Sequence, residues 1–198
     1  MDYLQGVPTK RPSLVGTAIG GLASVRFSGS PVAPQHLDGT GLSTSNGLTV
    51  FVVAKLSAVP STTEFLELFD NAEPVSEFRL GFTSSATYGD VYFGAAGYLM
   101  RAILPASDDK PHLLEVTWSG ADPSNVGSYS LWQDGNAATL ANTNSAAVLP
   151  KSSSVGLNLT TSATFRGDVG ELVVYSQVLA AADHNALHDA LRAKWGLP

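Results

Sequence analysis

An apolar period of two returns in short runs along most of the chain, broken by Ser, Thr, Gly, Asn and Pro, and leaves little room for anything but β-structure. Leu48–Leu56 is the plainest run: its even positions are all apolar, whereas the odd ones mix Thr49, Phe51, Val53 and Lys55. Such a strand puts one face in a core and leaves the other partly in solvent. The same reading gives strands at Ser24–Phe27, Glu64–Phe69, Phe78–Phe82, Asp90–Phe93, Tyr98–Leu104, His112–Trp118, Tyr129–Trp132, Val155–Leu159 and Gly170–Tyr175. That is about ten strands of roughly 5 residues, an ordinary strand length. After Trp132, Gln133-Asp134-Gly135-Asn136 supplies the positive φ angles of a tight hairpin. Helical period occurs only in Ala181–Trp195, where Leu187, Leu191 and Trp195 recur every four residues and Ala186 and Ala190 widen the stripe. Asp183 sits in its first turn, Arg192 and Lys194 in its last, and Gly196 can take the left-handed cap. Many strands and one terminal helix predict an all-β fold, a jelly-roll sandwich of two antiparallel sheets.

Composition narrows the partners. The 198 residues suffice for one domain with a full core. Only 14% are charged, with 11 Lys and Arg against 17 Asp and Glu, a formal net charge of −6. The cations are scattered, which argues against nucleic acid and against an anionic membrane surface, since both need clustered positive charge. With no cysteine, disulfides, thiolate metal sites and cysteine nucleophiles are excluded. No apolar run approaches the roughly 18 residues of a membrane span, and Met1–Gly6 does not read as a secretion signal.

The last third carries a pattern: Phe165–Tyr175, then Val178-Leu179, then a helix closing on Lys194-Trp195-Gly196-Leu197. It resembles the end of laminin-G-like domains of the concanavalin A-like lectin/glucanase superfamily. Arg11–Val15 with Ser24–Gly29 is similar to that family's opening strands, Leu48–Lys55 to its next strand, and Tyr129–Gly135 to its late hairpin. The resemblance implies a concanavalin A-like domain over residues 10–198 with a C-terminal α-helix. It leaves 1–9 as an N-terminal arm in place of the family's usual Trp-rich opening. Lectins, hydrolases, lyases, adhesion modules and virus-particle proteins share such a fold, so function has to be argued from a site.

The acidic stretch Glu64, Glu67, Asp70, Glu73 and Glu77 offers the sharpest enzymatic idea. Retaining glycosidases need two carboxyl groups about 5 to 5.5 Å apart on one sugar, whereas Glu64 and Glu67 differ by an odd number and point to opposite strand faces. No catalytic residue is assigned. His184 and His188 have the spacing of a metal pair, but Asn185 stands where the metalloprotease motif needs Glu, and they read as surface histidines. Asp108, Asp109 and Asp122 form no continuous calcium loop, so neither a metal nor any other cofactor is expected. Arg166-Gly167-Asp168 spells an adhesion tripeptide inside a strand pattern, and Asn158-Leu159-Thr160 a formal glycosylation acceptor. Gly16, Gly20, Gly21, Gly94 and Gly97 do not follow a strand and open a helix, so no nucleotide site is read from them. Trp118 shares alternation with Leu114 and Val116 and belongs in the core, while Trp195 anchors the helix. Trp132, with polar Ser130 and Asp134 as alternation neighbours, is the aromatic residue expected to meet a ligand.

The expected function is a non-enzymatic structural or adhesive component of a bacteriophage particle, a capsid decoration or fibre-associated protein with weak glycan binding. Its partners would be a viral capsid or tail protein, a cell-surface glycan, or both, and its state a homo-oligomer. It would be assembled in the host cytoplasm and displayed on the virion. The alternatives are a free or secreted extracellular carbohydrate-binding module and, further off, a carbohydrate-active enzyme.

Overall fold

A computed structural model gives the fold and describes residues 6–29, 35, 37–39, 47–58, 64–70, 77–82, 88–93, 98–103, 108–120, 125–144, 153–155 and 165–198. In chain order these hold β1 (Ser13–Ile19), β2 (Leu22–Ser28), β3 (Leu37–Gly39), β4 (Leu48–Leu56), β5 (Glu64–Asp70), β6 (Glu77–Phe82) and β7 (Tyr88–Phe93). There follow β8 (Tyr98–Ile103), β9 (Pro111–Trp118), β10 (Tyr129–Gln133), β11 (Asn136–Ala137), β12 (Thr139–Asn144), β13 (Ser153–Val155), β14 (Arg166–Tyr175) and α1 (Ala181–Trp195). A seven-stranded sheet runs β1-β2-β14-β4-β9-β10-β11, a five-stranded sheet β12-β8-β7-β6-β5, and β13 pairs with β3. The all-β sandwich with one terminal helix is the architecture that the alternation predicts, and α1 has the expected bounds.

β4 departs from the half-solvated strand expected of it. Leu48, Val50, Val52, Ala54 and Leu56 join Leu114, Val116, Trp118, Tyr129, Leu131 and Phe27 in the inner core. Phe51 and Val53, on the other face, are equally buried, in a second cluster with Ile19, Leu113, Leu191, Trp195 and Leu197. The middle of the seven-stranded sheet, at β4 and β9, is thus covered on both faces, because α1 lies across its outer side. Thr49 is buried on that face as well, its hydroxyl donating to the Gln177 carbonyl at 2.9 Å and accepting from the Leu179 amide at 3.0 Å. These bonds tie the segment leading into the helix to the central strand.

The lower end of α1 is seated by complementary shapes. β14 shifts register between Val169 and Glu171, and at Gly170 between them a Cβ would lie 2.8 Å from the Trp195 ring. The indole therefore occupies space that only glycine leaves free. Glu171 Oε2 accepts from Trp195 Nε1 at 2.7 Å and from Lys194 Nζ at 2.8 Å. Gly196 takes the left-handed cap expected of it, with φ 61°. Ala186 and Ala190 do not widen the buried stripe as expected: both are exposed, and His184 and His188 take the inward positions beside Leu187 and Leu191, where the longer imidazoles reach Glu115.

Asp134 and Gly135 have φ 53° and 80°, the positive pair that the hairpin between β10 and β11 requires. Four strands go beyond the expected set: β1 as a full strand, β3, β11 and β12. Met1–Gln5 of the expected arm lie outside the described residues, and Pro8–Lys10 form a 3-10 turn. Glu73, Gly94, Gly97, Asp122 and Asn158-Leu159-Thr160 also lie outside the described residues.

Candidate functional site

Glu115 lies in the middle of β9, on the face opposite Leu114, Val116 and Trp118, which are buried as expected. Its cross-strand partner on β10 is Trp132, so carboxylate and indole share the outer face of the sheet. α1 then lowers two histidines onto them. His188 Nδ1 is 2.8 Å from Glu115 Oε1, and His184 Nε2 is 3.5 Å from Oε2. The His184 ring is sandwiched, its centroid 4.9 Å from that of Phe51 and 5.0 Å from that of Trp132. Both histidine side chains are 13% exposed, which corrects the expectation of surface histidines: a carboxylate only 1% exposed needs a donor within the protein, and His188 supplies one.

The hydrogen-bond roles of the two rings follow from their neighbours. Arg192 Nη1 lies 3.5 Å from His188 Nε2, and a guanidinium can only donate, so Nε2 is the acceptor and Nδ1 carries the proton given to Glu115. His184 Nε2, by contrast, is buried without a hydrogen-bond partner.

Beside this cluster, between α1 and the β10–β11 hairpin, is a pocket of about 340 Å³. Trp132, Val178 and Leu179 give it apolar walls. Glu115, Thr117, His184 and Asn185 bring polar atoms to it. Trp132, the residue singled out from its alternation neighbours, is half-buried on this wall. Alternation hid the rest, although a Glu centred in an apolar strand and two His at helical spacing beside Leu187 and Leu191 are the signals by which it could have been found.

A second cluster braces the hairpin. His112 Nδ1 is 2.7 Å from Asp134 Oδ2 and Nε2 is 2.8 Å from Asp108 Oδ1. Both ring nitrogens face carboxylates, an arrangement that only the imidazolium satisfies. Burial opposes that charge, yet the bonds to Asp134 and Asp108 outweigh it and hold the His112 pKa above its ordinary value. Burial likewise acts against Asp108, but the bond from His112 and the Lys110 amide carry its pKa below the usual carboxylate value.

The other sequence candidates separate. Asp168 is 2% exposed and pairs with its cross-strand neighbour Arg26 through two bonds of 2.8 Å. The Arg166-Gly167-Asp168 tripeptide therefore lies inside the sheet and is not presented for adhesion. Glu64, Glu67 and Asp70 fall on β5, an edge strand, where they register with Phe82, Arg79 and Glu77. Among the described residues, no group of three or more His, Cys, Asp and Glu is arranged to hold a metal ion. No described helix is long and apolar enough to cross a membrane.

No protein-family model matches the chain, and no curated protein does. Solved structures do. A heptameric SAP-like pentraxin from Limulus polyphemus superposes with a TM-score of 0.59 at 14% identity, over 83% of this chain and 81% of that one. Trypanosoma rangeli sialidase in complex with sialic acid gives 0.58 at 14% identity over 83% of this chain, which spans only 27% of the sialidase. Domains LG4-5 of the mouse laminin alpha1 chain give 0.53 at 16% identity, over 89% of this chain and 46% of that one. The strand order, the terminal helix and these superpositions together give the chain the concanavalin A-like sandwich fold of laminin-G-like domains.

Proposed function

We propose that the chain is a non-catalytic binding module that takes a glycan in the pocket between α1 and the β10–β11 hairpin. One observation carries the reading: the indole of Trp132 forms a wall of a 340 Å³ pocket whose other lining includes the Asn185 amide, the Thr117 hydroxyl and His184. A pyranose ring has an apolar face that stacks on an aromatic ring and a rim of hydroxyls that needs donors and acceptors, and such a pocket offers both. Glu115 is the only carboxylate among the described lining residues. Glycoside hydrolysis ordinarily uses two, which supports binding without turnover. If a glycan array identifies a ligand, Trp132→Ala is expected to weaken binding by about 1–3 kcal/mol in titration calorimetry. Affinity unchanged by that substitution removes Trp132 from the site.

The finer part of the proposal places this module on a bacteriophage particle, as a homo-oligomeric capsid decoration or fibre-associated protein. In support, β1 is an uncharged edge strand of the seven-stranded sheet with Leu14 77% exposed, and such an edge accepts a strand from a capsid or tail protein. The purified chain is expected to co-sediment with particles. A protein that binds glycans but never associates with any particle is instead the free carbohydrate-binding module of the alternative reading.

A further inference from the structure

The charges around the pocket go further than the presence of a sugar. Among the described residues that line it, Glu115 is a carboxylate and none is Lys or Arg. Among the described residues, the cation Arg192 lies one helical turn beyond His188 and donates to its Nε2, on the side of the ring away from the carboxylate. Asp183 and Asp189 on α1 are exposed acidic residues, and Asp134 beside the lining Gly135 is engaged with His112. Lys194 is engaged with Glu171 at the far end of the helix.

Within the cluster the donors are unequally shared. Oε1 of Glu115 accepts from His188 at 2.8 Å. Oε2, among the described residues, is paired with His184 Nε2 at 3.5 Å, without a hydrogen bond between them. A carboxylate oxygen so little satisfied favours a hydroxyl donor, and its charge repels a second carboxylate brought into the same low-dielectric space. The chain's net charge of −6 acts in the same direction.

We propose that this pocket selects neutral sugars and excludes acidic ones, with Glu115 as the discriminating residue. The inference rests on the glycan reading above and adds the class of sugar. A neutral pyranose would stack on Trp132 and give a hydroxyl proton to Glu115 Oε2, while the Asn185 amide offers both a donor and an acceptor to its neighbours. A uronic or sialic acid would set its carboxylate in a pocket with no cation among its described lining residues to receive it.

The test uses matched pairs that differ only in oxidation at C6: methyl glucoside against methyl glucuronide, and methyl galactoside against methyl galacturonide, titrated into the full chain at pH 8. For at least one pair the neutral member is expected to bind about tenfold tighter or more, a gap that like-charge repulsion at short range readily supplies. Glu115→Gln, which keeps an acceptor for His188 and removes the charge, is expected to narrow the gap to about threefold or less. Uronates binding as tightly as their neutral partners overturn the inference and leave the glycan reading standing. Failure of all four to bind, together with an empty glycan array, overturns both. A gap that persists in Glu115→Gln takes the role away from Glu115, and the native comparison stands by itself should that variant fail to fold.

Discussion

Trp195→Ala is expected to destabilise the chain by about 3–5 kcal/mol, the largest effect of any substitution considered, because it empties a large buried site that cannot collapse. The indole is 3% exposed and packs in the outer cluster with Phe51, Val53 and Leu191. Its Nε1–H is bound to Glu171, and the backbone on the sheet side is already bare at Gly170, so no neighbouring side chain can fill the space. By itself α1 is a weak helix. Its N-cap is Ala180, without a side-chain bond, and fifteen residues form only a marginal helix in water unless docked. For a domain of this size the loss corresponds to a fall in Tm of about 10 °C, measured by circular dichroism. A Tm unchanged within error would mean that the helix is not held by this contact. Since the helix carries His184, Asn185 and His188, the variant should also lose the pocket.

The second large effect lies at the hairpin. Asp134→Ala removes the bond to His112 and the one from the Leu113 amide at 2.9 Å, and puts alanine at φ 53°. Charge-assisted bonds of this kind contribute about 1.5–3 kcal/mol each when buried. With discounting for the partial exposure of the group, the substitution is expected to cost about 2–3 kcal/mol. The pH dependence follows from His112, whose pKa is raised in the folded chain. A raised imidazole stabilises the fold fully below its unfolded value of about 6.5, and that contribution disappears as pH rises through the folded value. Asp108, whose pKa is lowered, acts oppositely: its share is present above about 3.9 and is lost as pH falls through its folded value. Urea midpoints should therefore be highest between these limits and decline above pH 7. Asp134→Asn keeps an acceptor for the Leu113 amide and tolerates positive φ, but should flatten the decline on the alkaline side. An equally steep decline in that variant would show that another group is responsible.

The helix and hairpin were legible because both are local. The four-residue recurrence of Leu187, Leu191 and Trp195 and the Asp134-Gly135 turn specify their conformations through contacts and torsions only a few residues apart. The two-residue alternation of His112–Trp118 likewise identified which side of β9 enters the inner core. For the other side it says only that Leu113, Glu115 and Thr117 point the same way. Whether that side meets water or protein depends on where α1 comes to rest, and α1 begins more than sixty residues later. The missed burial of Phe51 and Val53, the inward turn of His184 and His188, and the pairing of Glu115 all have this one cause. Alternation and helical period report how side chains are distributed around their own element. What covers an exposed face, and which polar groups must then find partners there, is decided when distant segments pack and the buried carboxylate exchanges water for imidazole.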